Sequence, residues 1–208
     1  MLYYICYKTL VIFQKDEMMP PRKKFDLSRI MDAAFQILRR DGFGAVTARS
    51  VAAELGSSTT PIYWAFESMD DVEQALTQKT TKLMSEYQTK KYTDNVLLNM
   101  AIGYVNFARE EPNLFQFLQI ENQKPYNPAR DTDLGERMAA MMGEKPPLDL
   151  FGKIDQKSMD AVTLQSWVFT HGLATAISSR MLVFDSEKEI IDLINSAGRA
   201  FYLNQTIK

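Results

Sequence analysis

From Asp26 onward the apolar positions recur as Ile30, Ala33, Ala34, Ile37 and Leu38, the i, i+3, i+4, i+7, i+8 stripe of an amphipathic helix. Arg29, Asp32, Gln36, Arg39 and Arg40 occupy its other face. Gly42 supplies a residue that can close this helix in a left-handed conformation, and Phe43 behind it is placed to fold back on the apolar face. Thr47 predicts the N-cap of a second, short helix, Ala48 to Leu55, whose buried side is Val51, Ala52 and Leu55. Gly56 breaks it. A third helix, capped from Ser58 or Thr59 and carrying Pro61 in its first turn, runs to about Phe66.

Ser68-Met69-Asp70-Asp71 reads as a variant capping box opening a longer helix with the stripe Val72, Leu76, Leu83 and Tyr87. Further helices are predicted over 94–110, 113–122, 133–142, 156–182 and 186–203, with Pro112, the Lys124–Pro128 stretch and Pro146-Pro147 as breakers. Ser186-Glu187-Lys188-Glu189 is a capping box for the last of them, which puts Ile190, Leu193, Ile194, Ala197 and Phe201 on one face. No stretch alternates as a strand does, and no repeat of solenoid period is present. The fold class is therefore all-α: an N-terminal extension (1–19), a three-helix helix-turn-helix unit (20–67) and a helical remainder (68–208).

Composition narrows the chemistry. The 208 residues are 46% hydrophobic and 24% charged, which suits a globular chain with a substantial core. One cysteine, Cys6, makes no internal disulfide, and one histidine, His171, leaves too few soft ligands for a Cys/His zinc site; no cofactor or metal is expected. The net charge of −2 conceals an asymmetry: residues 20–66 sum to +3 and residues 67–208 to −5. A basic front beside an acidic remainder suggests two jobs on one chain, the front one directed at phosphate.

The apolar run Met1 to Phe13 is interrupted by Lys8 and is too short to span a bilayer, and Gln14-Lys15-Asp16-Glu17 after it is no cleavage site. No membrane role is expected, and the location expected is cytoplasmic. Met18-Met19 offers a second start, so residues 1–17 are either a translated extension or the product of a mis-assigned one.

A helix-turn-helix needs a small residue where two helices cross, a turn former, and an aliphatic plug from the second helix onto the first. Ala52, Gly56 and Ile62 meet those needs, leaving Ser57 to Thr60, Tyr63 and Trp64 to face outward. Hydroxyls at a helix N-terminus suit phosphates and base edges. The plainer alternative is an ordinary three-helix corner with Tyr63 and Trp64 packed against the first helix.

Ile30-Met31-Asp32-Ala33-Ala34, Gly42-Phe43, Thr47-Ala48, Val51-Ala52 and the run Gly56 to Phe66 resemble the TetR family of transcriptional regulators over roughly residues 25–80. The resemblance implies a DNA-binding front domain and a helical ligand-binding and dimerisation domain behind it. It implies that Thr47 caps the second helix and touches a phosphate, that Tyr63 does the same from the recognition helix, and that Ser58, Thr59, Thr60 and Pro61 lie nearest base edges. Arg49 is a candidate groove or phosphate contact, and Trp64 either contacts the backbone or packs. Arg22, Lys23 and Lys24 form either a mobile basic arm or a solvated tail. Where the family often has a Lys after the Ser that opens the fourth helix, this chain has Met69 and then Asp70-Asp71, so one phosphate-neutralising cation is missing.

Tyr104 to Phe115 and Trp167-x-x-x-His171-Gly172 are similar to the family's C-terminal class with a Trp…His-Gly signature. Met100, Tyr104, Phe107, Phe115, Leu118, Met138, Met141, Met142, Trp167 and His171 are candidate walls of an effector pocket, each equally readable as plain core. The resemblance further implies a homodimer through the last two helices, operator DNA as partner and release by a small-molecule effector. An activator or a ligand-independent DNA-binding protein shares the same fold. Enzymatic activity is not expected, because no Gly-rich phosphate loop and no nucleophile-and-base pair is present.

Overall fold

The computed structural model describes residues 27–66, 68–120 and 154–206, which include eight α-helices and one 3₁₀ turn. The predicted helix over 133–142, the N-terminal extension, Lys23, Lys24, Met138, Met141 and Met142 lie outside the described residues. Helix α1 spans Leu27–Asp41 and buries Ile30, Ala33, Ala34, Ile37 and Leu38 as its stripe predicts. Phe35 is buried beside them, because the Lys79 ammonium of the fourth helix lies 4.8 Å over its ring and covers it. Gly42 ends the helix at φ 83° and ψ 170°, outside the left-handed helical well that its position predicts but still at a φ that a side chain disfavours. The 3₁₀ turn Phe43–Ala45 follows at once.

Helices α2 (Ala48–Glu54) and α3 (Thr60–Ala65) complete a three-helix head. The turn between them is a Schellman motif: Gly56 sits at φ 61°, its N–H donates to the Ala53 carbonyl (3.1 Å), and the Ser57 N–H donates to that of Ala52 (2.9 Å). Ala52 is buried at the crossing and Ile62 plugs it, whereas Leu55 is half-buried. One expectation fails here. Thr59 is the N-cap of α3, but it arrives in helical conformation and makes no side-chain cap bond, so neither Ser58 nor Thr59 caps the helix by its hydroxyl.

Helix α4 (Met69–Thr89) opens on the predicted capping box, with the Ser68 N–H donating to Asp71 Oδ2 (2.9 Å) and the Asp71 N–H to Ser68 Oγ (3.3 Å). Its buried row is Val72, Leu76, Thr80, Met84 and Gln88, with Leu83 and Tyr87 only half-buried. The row is set by the neighbour rather than by hydropathy. Helix α5 (Val96–Glu110) crosses so closely that a Cβ on Gly103 would run into the Tyr87 carbonyl oxygen and lie 2.6 Å from Gln88 Cα. Helix α5 is the body's central rod, buried almost all round from Asn99 to Ala108, as its apolar residues on several faces require.

Helix α6 (Pro112–Ile120) starts on the proline expected to be a breaker, since a first-turn residue needs no N–H. Helix α7 (Gln156–Ser178) ends four residues before the predicted boundary, in a second Schellman motif with Arg180 at φ 60°. Helix α8 (Glu187–Thr206) buries Ile190 and Ile194 of its predicted face, while Leu193 is exposed. The body is α4 to α8 with α5 at its centre, and the head hangs on α4 and α6 through α1.

Candidate nucleic-acid interface and aromatic centre

The α2–α3 corner presents an aromatic pair to solvent: Tyr63 is 64% and Trp64 71% exposed, on the same short helix whose Ile62 is 3% exposed. Leaving two large aromatics in water beside a buried aliphatic neighbour is costly, and it makes an exposed apolar patch on the head. The reading in which Trp64 packs against α1 is therefore set aside. Ser58 and Thr60 are exposed at the start of α3, with Thr59 and Pro61 half-buried between them.

Thr47 caps α2 as expected. Its Oγ1 accepts from the Ser50 N–H (3.1 Å), its own N–H donates to Ser50 Oγ (2.9 Å), and the Ser50 hydroxyl reaches back to the Ala45 carbonyl (2.7 Å). This box fixes the entry angle of α2 and holds Arg49, exposed in the first turn, on the outer side of the head. Arg49 makes no ion pair among the described residues, while Arg40 is engaged with Asp41 and Glu54 on the surface. Met69 is 37% exposed at the first turn of α4, beside the carboxylates of Asp70 and Asp71.

The second set of candidate residues divides. Tyr104 of α5, Phe115 of α6, and Trp167 and His171 of α7 converge: His171 stacks on Trp167 at 5.5 Å and 15°, and the His171 ring lies 6.2 Å from that of Phe115. Tyr104 meets Phe115 edge-on at 5.5 Å. The Tyr104 hydroxyl and His171 Nδ1 are 3.0 Å apart and hydrogen-bonded, and Gln119 Nε2 donates to the same hydroxyl at 3.4 Å. Burial pushes the Tyr104 phenol up to about 12 and the His171 imidazole below its ordinary value. At neutral pH both groups are thus uncharged, and they share one neutral hydrogen bond whose direction follows the His171 tautomer.

Phe107 belongs elsewhere: it is fully buried and meets Tyr87 of α4 edge-on at 5.5 Å. Met100 is buried on α5 and Leu118 half-buried on α6. Gln119 is a member that the sequence reading does not include, although its spacing of four from Phe115 puts it on the same helix face. Thr80 and Gln88 escape that reading too; both are buried, and the Thr80 hydroxyl and both Gln88 amide atoms have no hydrogen-bond partner among the described residues. No helix among the described residues is long and apolar enough to cross a membrane, and no three His, Cys, Asp or Glu side chains among them group closely enough to hold a metal ion.

Comparison with known proteins bears on the head first. Residues 30–76 match the sequence model for bacterial regulatory proteins of the tetR family, a stretch that runs from α1 through the α2–α3 corner into α4. No curated protein matches the chain. The crystal structure of a TetR-like transcriptional regulator from Rhodococcus sp. RHA1 superposes with a TM-score of 0.58, covering 86% of this chain and 96% of that one at 14% identity, a likeness of fold. The head thus carries a segment that matches the tetR family of bacterial regulatory proteins, and the all-helical chain shares the fold of a TetR-like regulator.

Proposed function

We propose that the chain is a homodimeric repressor that sets Ser58 to Tyr63 of each protomer into successive major grooves about 34–36 Å apart and is released by a small-molecule effector. The observation that carries this reading is the exposure of Tyr63 and Trp64 on a helix anchored by a buried Ile62. In it, Tyr63, Thr47 and Arg49 contact phosphates, Ser58, Thr59, Thr60 and Pro61 approach base edges, and Lys23 and Lys24 reach the duplex as a basic arm. Dimerisation through α7 and α8 is supported by Val168, Leu193 and Leu203, which are 55%, 38% and 47% exposed on those helices.

The effector site is placed at Tyr104, Phe115, Trp167 and His171. Helix α6 supports the coupling, because it carries Phe115 and Gln119 into that centre and Asn113 and Phe117 onto the head. The test is fluorescence anisotropy of the full chain on DNA from upstream of its own reading frame and on a scrambled duplex, across a salt series. Specific binding that Tyr63→Ala removes without lowering the melting temperature is expected. Equal weak binding to both duplexes, insensitive to Tyr63→Ala, would sink the reading.

A further inference from the structure

The head joins the body by a short covalent link and by contacts of unequal weight. Helix α3 ends at Ala65 and α4 begins at Met69, so the chain itself fixes the distance between head and body but does little to fix rotation. Besides the Lys79 ammonium over the Phe35 ring, α1 meets α4 through the ion pair of Asp32 with Lys79 at 2.5 Å, its side chains 65% and 38% exposed. A pair so wet orients weakly.

The contact from α1 to the α5–α6 junction is of another kind. Glu111 is only 4% exposed and takes both ends of the Arg39 guanidinium fork, Nε at 2.6 Å on Oε2 and a terminal nitrogen on Oε1. A bidentate fork fixes angle as well as distance, and a buried carboxylate left without it is strongly disfavoured. Glu111 is itself held at both sides: its N–H donates to the Phe107 carbonyl at 2.8 Å, and its carbonyl accepts from the Phe115 N–H at 2.9 Å.

Two residues on, Asn113 Nδ2 donates to the carbonyls of Arg39 and Arg40, each at 3.0 Å. These are among the last carbonyls of α1, which have no partner within their own helix. The body therefore caps the head's first helix. Phe43, just past α1, packs on Phe117 at 4.8 Å and closes the joint on its apolar side. Hydrogen bonds, an ion pair whose carboxylate is buried while its guanidinium is 47% exposed, and a ring contact all span the same seam.

We propose that Glu111 and Asn113 are positioning residues for DNA binding: by bonding Arg39 and the terminal carbonyls of α1 they set the rotation of the head on the body, and so the register between the two recognition helices of a dimer. The proposal rests on the dimeric DNA-binding reading above. It separates two properties that a helix-turn-helix usually shows together. One head alone reads a half-site in whatever orientation the body leaves it, whereas two heads on one body reach successive grooves only in one. A head in register roughly a third of the time weakens a two-headed complex by about tenfold.

The experiment uses the full chain and a duplex recovered by selection from random sequence, tested as the whole operator and cut to one half-site. Wild type, Glu111→Gln and Asn113→Ala are compared by anisotropy, with thermal melting alongside. Gln keeps the volume of Glu but ends the fork, and Asn113 is only half-buried, so Asn113→Ala leaves the core intact. The expected result is a loss of about tenfold on the whole operator with half-site affinity unchanged in both variants. Unchanged affinity on both duplexes would overturn the proposal, and so would an equal loss on both, which would mean that the joint stabilises the head rather than aiming it. Failure of the wild type to select any duplex would instead remove the DNA-binding reading itself, a distinguishable result.

Discussion

The head and the body use the same residue types to opposite ends. In the head Tyr63 and Trp64 stand in solvent beside a fully plugged Ile62; in the body Tyr104 is 6% exposed and Trp167 is half-buried against His171. Polar groups follow the same division. In the head the hydroxyls of Ser58 and Thr60 lie exposed and those of Thr47 and Ser50 form a helix cap, whereas the body buries Thr80 and Gln88 with no hydrogen-bond partner for their polar atoms among the described residues. A small three-helix unit has too little interior to hide large aromatics, so the pair stays in solvent. The body, with five helices among the described residues, has interior enough to enclose both large aromatics and polar side chains.

The sharpest way to break that comparison is to disturb each region and ask whether the other notices. Gly103→Ala forces a Cβ into the backbone of α4, and at the upper end of the usual range for overpacking it is expected to cost about 3 kcal/mol of stability. Urea denaturation measures this, and a variant as stable as wild type would show that α4 and α5 can separate freely. Tyr63→Ala is the converse: about 2 kcal/mol of operator affinity, some thirtyfold, is expected to go with no change in melting temperature. A fall in melting temperature instead would make Tyr63 part of the core.

Met69→Lys restores a cation at the start of α4 and sharpens the electrostatic side of the comparison. It is expected to tighten operator binding and to steepen the plot of log affinity against log salt by roughly one per head. An unchanged slope would place Met69 away from phosphate. The smallest effect is on pH. Burial holds the His171 imidazole below its ordinary 6.5, so at higher pH it is neutral whether folded or not. As pH falls through 6.5 the unfolded chain takes the proton first, and stability declines until the folded state follows. Denaturation midpoints from about pH 7.5 to about pH 5.5 should therefore fall more in wild type than in His171→Gln. Parallel curves would show that His171 is not desolvated by the centre.

Much of the head is legible in the order of its residues. The Ile30 to Leu38 stripe, the Thr47 cap, the Ala52-Gly56-Ile62 crossing and the Ser68 capping box are local features, each settled within a turn or two of helix, and the fold reproduces them. Where local reading fails, the reason is a partner distant in sequence. Phe35 is buried because Lys79 covers it, and Leu193 is exposed although it shares a helix face with Ile190. Gln88 is buried because Gly103 lets α5 approach so closely.

The candidate site divides in the same way. The exposed set on α3 can be read from spacing, since an anchored helix of six residues has only one other side. The convergence of Tyr104, Phe115, Gln119, Trp167 and His171 cannot, because three helices bring them together. Nor can the joint of Arg39 with Glu111 and Asn113, whose partners lie more than seventy residues apart. Hydrophobic period, caps and glycines act over a few residues, so the linear chain is enough to settle most of the described helices and the helix-turn-helix head that matches the tetR family model. Ion pairs, ring stacks and close crossings act between elements, so which aromatics form one centre, and how the head is held on the body, are settled only when the helices pack.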